Sequence, residues 1–153
     1  MDESAADLDW MRQALGYAAE AGRRGEVPVG AVLVYQGRSL AHGANDIEAQ
    51  QDPTGHAEML AIRRAAQKLG SRRLLDTCLY VTLEPCAMCA GAIVLARVPR
   101  LVFGAYDPKT GACGSLRNVV ADGRLNHRVR VRGGVLEEEC GALLRGFFAR
   151  LRS

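Results

Sequence analysis

A strand–helix–strand run over residues 78–105 restricts the fold more than any other feature of the chain. Cys78 to Leu83 and Arg100 to Ala105 are short apolar stretches of strand length. Between them, Cys86 to Ala96 is apolar on every side, which predicts a buried helix. Pro85 suits its first helical position and Pro99 forces its end. Two short apolar strands joined by a helix should pair in parallel through a right-handed crossover, the unit of an α/β sheet. Ligands of such sheets bind beyond the C-terminal ends of the strands. Those ends are Glu84-Pro85-Cys86 and Tyr106-Asp107, so the Cys86–Cys89 pair and Asp107 should meet at one cleft.

The remaining segments fill in around this unit. Asp7 or Asp9 can cap a first helix running to about Ala21, with Leu8, Met11, Leu15 and Ala18 on its apolar stripe. Residues 1–7 then read as a loosely ordered tail. Val27 to Tyr35 predicts a strand, Gln36-Gly37 a turn, and Arg38 to Ala44 a second strand. Asn45 to Gly55 is a polar loop. His56 to Leu69 predicts a helix, with Met59, Ile62, Ala66 and Leu69 facing the core and Arg64 and Lys68 facing solvent. Arg128 to Arg132 alternates like a strand with an exposed basic face, and Glu137 to Leu151 predicts a closing helix. No linker or repeat interrupts the 153 residues, so one domain is expected.

Composition excludes several classes. At 48% hydrophobic and 24% charged residues the chain is globular rather than disordered. No apolar run is long enough for a membrane span, and the N-terminus is acidic where a secretory signal would be basic, so no membrane association and a cytoplasmic location are expected. Five cysteines, two of them in a CxxC, favour metal or redox chemistry over a disulfide framework. Cys78 and Cys140 read as small buried fillers. Net charge is only +3, but 18 of the 20 basic residues are arginine, and Arg117 to Arg152 holds eight arginines against four acids. That asymmetry suits a polyanionic partner, although a solvated basic face would look the same.

The chemistry-bearing residues are His56, Cys86, Cys89 and Glu58. Cys86 and Cys89 lie on one face of a helix, in the first turn where free N–H groups favour thiolates. With His56 they make a three-ligand zinc set, which leaves a fourth position for water, and Glu58 is a carboxylate beside it to carry the proton. Two blander readings compete: a redox dithiol, and a structural zinc site closed by His42 or His127. Asp107 and Asn45 could simply cap or turn the chain, as such residues commonly do in loops.

The stretches Glu26 to Val32, Asp52-Pro53-Thr54-Gly55-His56-Ala57-Glu58 and Tyr80 to Ala92 resemble the cytidine-deaminase-like superfamily. Within it, Phe103 to Ala112, Gly114-Ser115 and Asn126-His127 resemble the bacterial tRNA-specific adenosine deaminase family. The likeness spans roughly Met11 to Leu151. It implies a three-layer α/β/α fold with a central mixed sheet, a homodimer, one zinc per subunit, and conversion of adenosine to inosine at the wobble position of a tRNA anticodon stem-loop. It carries over His56, Cys86 and Cys89 as zinc ligands and Glu58 as proton shuttle. It also implies that Asn45 and the Ala57 N–H hold the base, with Asp107, Lys109 and Asn126 around the anticodon loop. Gly55 stands where the family more often has alanine, which should loosen that turn. A deaminase of free bases and a non-catalytic zinc module remain as alternatives at this level.

Overall fold

A computed structural model describes residues 3–152. Five strands form one mixed sheet in the order β2-β1-β3-β4-β5. They are β1 (Gly30–Tyr35), β2 (Arg38–Ala44), β3 (Thr77–Leu83), β4 (Arg100–Ala105) and β5 (Arg130–Arg132). β1 runs antiparallel to β2 and β3, whereas β3, β4 and β5 are parallel. The strand–helix–strand unit forms as expected, with Leu79 opposite Leu101 and Val81 opposite Phe103.

Period-two alternation sends the sheet's apolar residues to two cores. Val32, Val34, Tyr80 and Val102 pack beneath α1 (Glu3–Arg23) and α5 (Glu137–Arg152), against Met11, Ala14 and Cys140. Ala31, Leu33, Leu79, Val81, Leu101 and Phe103 face α3 (Ala57–Leu69) and α4 (Ala87–Leu95) on the other side. The result is the three-layer α/β/α arrangement. No helix among the described residues is long and apolar enough to cross a membrane.

The N-terminus departs from expectation. From Glu3 onward the expected tail is the first turns of α1, and residues 1 and 2 lie outside the described residues. Asp7 is not a cap but a fully buried anion inside the helix. Its carboxylate accepts from both terminal nitrogens of Arg100 (2.8 and 2.7 Å), from Arg132 (2.7 Å) and from the Tyr80 hydroxyl (2.6 Å). Burial alone would raise its pKa, but these donors hold it below the usual carboxylate value. This knot ties α1 to β3, β4 and β5.

Four further details differ from expectation. β1 begins at Gly30 rather than Val27, because Pro28 has no N–H for the ladder. Within the expected polar loop, α2 (Ile47–Gln50) makes one helical turn. Its first N–H groups are accepted by the buried Glu26 carboxylate: Ile47 at 2.9 Å, Glu48 at 3.1 Å and Ala49 at 2.9 Å. Along α3, the fully buried line is Ala57, Glu58, Ala61 and Ala65, so the larger Met59, Ile62 and Leu69 flank the contact. α4 starts at Ala87 with Cys86 as its extended N-cap, which puts Pro85 outside the helix.

Candidate active site

Two helix N-termini converge at the C-terminal end of the parallel strands. His56 is the extended N-cap of α3 and Cys86 the extended N-cap of α4. The His56 Nδ1 lies 3.7 Å from Cys86 Sγ and 3.5 Å from Cys89 Sγ, and all three donor atoms fall within 4.8 Å of one another. Tetrahedral zinc with ordinary Zn–N and Zn–S bonds would separate nitrogen from sulfur by about 3.6 Å. Both His56–sulfur separations therefore fit zinc.

A closing fourth protein ligand is lacking among the described residues. Each of the two other histidines is engaged elsewhere. His42 stacks on Tyr17 at a centroid distance of 4.1 Å, and His127 Nε2 donates to the Val98 carbonyl at 2.8 Å. The Cys86 thiol is held down at about 3, first by a hydrogen bond from Cys89 and then by His56, against the opposing effect of burial. Cys89 is correspondingly pushed up by that hydrogen bond and by burial. One thiolate is thus favoured before any metal enters, the form that binds zinc.

His56 and Cys86 open into a pocket of about 190 Å³, lined also by Glu58, Asn45, Glu84, Asp107 and Thr110. Apolar walls come from Val27, Val29, Ile47 and Leu83. This is smaller than the roughly 300–1,000 Å³ of drug-sized sites, so it suits a single heterocycle. Glu58 is 4% exposed, and burial pushes its carboxyl up to about 7. An acid near neutrality can both take and return a proton.

Of the residues singled out in the sequence, His56, Glu58, Cys86, Asn45 and Asp107 line this pocket, with Cys89 buried behind it. Asn45 Oδ1 accepts the Ala57 N–H at 2.8 Å. That N–H is therefore committed to Asn45, whereas the Asn45 amide nitrogen has no protein partner among the described residues. Asp107 does turn its own loop, accepting from the Lys109 and Thr110 amides at 3.0 and 3.2 Å and from the Thr110 hydroxyl at 2.7 Å. Lys109 and Asn126 are exposed and lie outside the pocket lining.

Gly55 does not loosen its turn. It is buried, and an added Cβ would stand 2.8 Å from the Asp46 carbonyl oxygen. Glu26 and Glu84, which no motif in the sequence singles out, are two buried acids whose hydrogen bonds shape the pocket walls. Nothing local in the sequence marks either acid as buried, because the donors that partner it lie more than 20 residues away.

A mixed sheet with a His56–Cys86–Cys89 cluster and a buried carboxylate at the C-terminal ends of its parallel strands matches the cytidine-deaminase-like class. The chain belongs to the MafB19-like deaminase family, whose profile matches residues 5–152. It is 52% identical over 143 residues to the tRNA-specific adenosine deaminase of Bacillus subtilis (strain 168), covering 94% of this chain and 89% of that protein. A solved structure from a study of A-to-I editing by tRNA:A34 deaminases superposes with a TM-score of 0.86 at 46% identity, covering 89% of this chain and 99% of the other. Bacillus subtilis guanine deaminase superposes with a TM-score of 0.62 at 38% identity, over 69% of this chain and 66% of that one.

Proposed function

We propose that the protein converts adenosine to inosine at the wobble position of a tRNA anticodon stem-loop, with one zinc per subunit held by His56, Cys86 and Cys89. One observation carries this reading: His56 and Cys86, backed by Cys89, share a base-sized pocket with the buried Glu58, Asn45 and Asp107. The similarity to tRNA-specific adenosine deaminases over nearly the whole chain supports the choice of substrate.

Zinc bound there would supply the Lewis acidity that makes water a nucleophile near neutral pH. Glu58 accepts one proton of the attacking water and delivers it to the ring nitrogen N1 as oxygen adds to C6, then carries the second proton from the C6 hydroxyl to the amino group, which leaves as ammonia. The Asn45 amide nitrogen would donate to the base, and Val27, Val29, Ile47 and Leu83 would contact its ring. An anticodon loop already presents splayed bases, so drawing one into the pocket costs little.

The subunit is also proposed to form a homodimer. α4 leaves Ala87, Met88, Gly91, Ala92 and Leu95 on a face that its own chain does not fully cover.

The test is inosine formation on a short hairpin with adenosine at the wobble position, compared with free adenosine, cytosine and guanine. Turnover is expected on the hairpin alone. Glu58→Ala should reduce it by at least ~10²-fold while retaining stoichiometric zinc. Activity on free guanine or cytosine with none on the hairpin would instead establish a free-base deaminase. Loss of zinc in Glu58→Ala would make Glu58 a ligand and overturn the assignment of roles.

A further inference from the structure

We infer that Glu84 is a positioning residue, whose carboxylate fixes the substrate-facing loop 107–115 against the start of the metal-ligand helix. This rests on the function proposed above and identifies what sets the loop's place. Glu84 follows the last residue of β3 and is 2% exposed. Its Oε1 accepts the Asp107 N–H at 3.0 Å and the Ser115 hydroxyl. Its Oε2 accepts the Cys113 N–H at 3.1 Å and the Ser115 N–H at 2.9 Å. Every one of these donors comes from the same loop.

The neighbouring backbone repeats the grip, because the Pro85 carbonyl accepts the Ala112 N–H at 2.9 Å. Gly111 shows how close the approach is. A Cβ there would collide with the Glu84 carboxyl carbon and stand 2.5 Å from the Asp107 carbonyl oxygen. The tripeptide Glu84-Pro85-Cys86 therefore holds the loop with two residues and offers a metal ligand with the third. Asp107 and Thr110, which line the pocket from this loop, take their distance from the trio through that tripeptide.

Glutamine is the discriminating replacement. It keeps the shape, but its NH₂ must face at least one N–H donor that the carboxylate had accepted. In zinc-loaded Glu84→Gln, the amides of Asp107, Cys113 and Ser115 should lose at least ~10-fold of their hydrogen-exchange protection, while those of β3 and β4 keep theirs. The KM for the wobble hairpin should rise at least ~10-fold with kcat within ~3-fold, since a misplaced loop weakens binding whereas a misfolded fraction lowers apparent kcat alone. Ser115→Ala removes one donor from an exposed residue. It should raise KM in the same direction by ~3-fold, and it decides the matter if Glu84→Gln does not fold.

Retained protection in Glu84→Gln, unchanged kinetics in both variants, or a fall in kcat at constant KM would each overturn the inference. The exchange pattern needs no substrate. A wild-type protein that ignores the hairpin would therefore overturn the RNA reading, while loop protection still judges Glu84 separately.

Discussion

Four carboxylates are buried among the described residues, and their surroundings divide them into two kinds of work. Asp7, Glu26 and Glu84 each receive several hydrogen bonds, and each is held below its ordinary pKa although burial opposes it. Glu58 lacks such a set of donors, and burial raises it to about 7. Fully partnered anions serve as staples, whereas the under-partnered one is free to move a proton. Asp7 gives the stability consequence. Asp7→Ala would leave Arg100, itself nearly buried, without its main partner, so stability should fall by about 3–5 kcal/mol. Thermal melting should drop by on the order of 10 °C. The folded pKa of Asp7 is depressed, so its contribution is full above the unfolded value of about 3.9 and is lost as pH falls through the lower folded value. A melting series from pH 7 to pH 2 should therefore show an acid-side loss in the wild type that is smaller in Asp7→Asn. Equal melting temperatures for wild type and Asp7→Ala would refute the staple.

At the scale of elements, α4 is where an apolar pattern proved ambiguous. A helix apolar all round reads as buried all round, and its inner side is: Cys89, Ala90, Ile93 and Val94 are buried against the sheet side. The opposite side ends on Leu95, which is 73% exposed. Met88, Gly91, Ala92 and Leu95 follow helical spacing along one stripe, and a second subunit would remove it from water. If the proposed homodimer uses this stripe, wild type should sediment as a dimer and Leu95→Arg as a monomer of unchanged fold; a monomeric wild type would overturn the dimer, and a dimeric variant would move the interface to another face. The same helix shows what was legible beforehand. Apolar runs and Pro99 located β3, α4 and β4, and ligand spacing pointed to the His56–Cys86–Cys89 cluster, because each signal is local. Asp7 at the start of the chain, Glu26 under α2 and Glu84 under the 107–115 loop were not legible. Their partners lie 20 or more residues away, and a lone acid in sequence reads as a solvated cap.

Across the whole molecule, several arginines of the arginine-rich final quarter are paired with acids. Arg132 is spent on Asp7, Arg124 pairs with Asp122 at 2.8 Å, and Arg145 pairs with Glu138 at 2.6 Å. β5 runs parallel to β4 with Arg130 opposite Arg100, the first residue of that strand. The pocket lies past the other end of β4, so Arg130 sits roughly 16 Å back along the strand from it. Three glutamates at the start of α5 add negative charge to the same quarter. Cations on the loop that borders the pocket are better placed. Lys109 lies two residues after Asp107, and Arg117 is tied to the loop by its N–H to the Gly111 carbonyl at 3.2 Å; both side chains are exposed. Phosphates of an RNA whose base enters the pocket should meet these first. Hairpin affinity should fall in Lys109→Ala and in Arg117→Ala, and the slope of log K against log salt should become shallower by about 0.7 for each phosphate no longer neutralised. Arg130→Ala should change neither affinity nor slope. If Arg130→Ala flattens the salt dependence and the two loop variants do not, RNA approaches from the far end of the sheet and the pocket cannot be its destination.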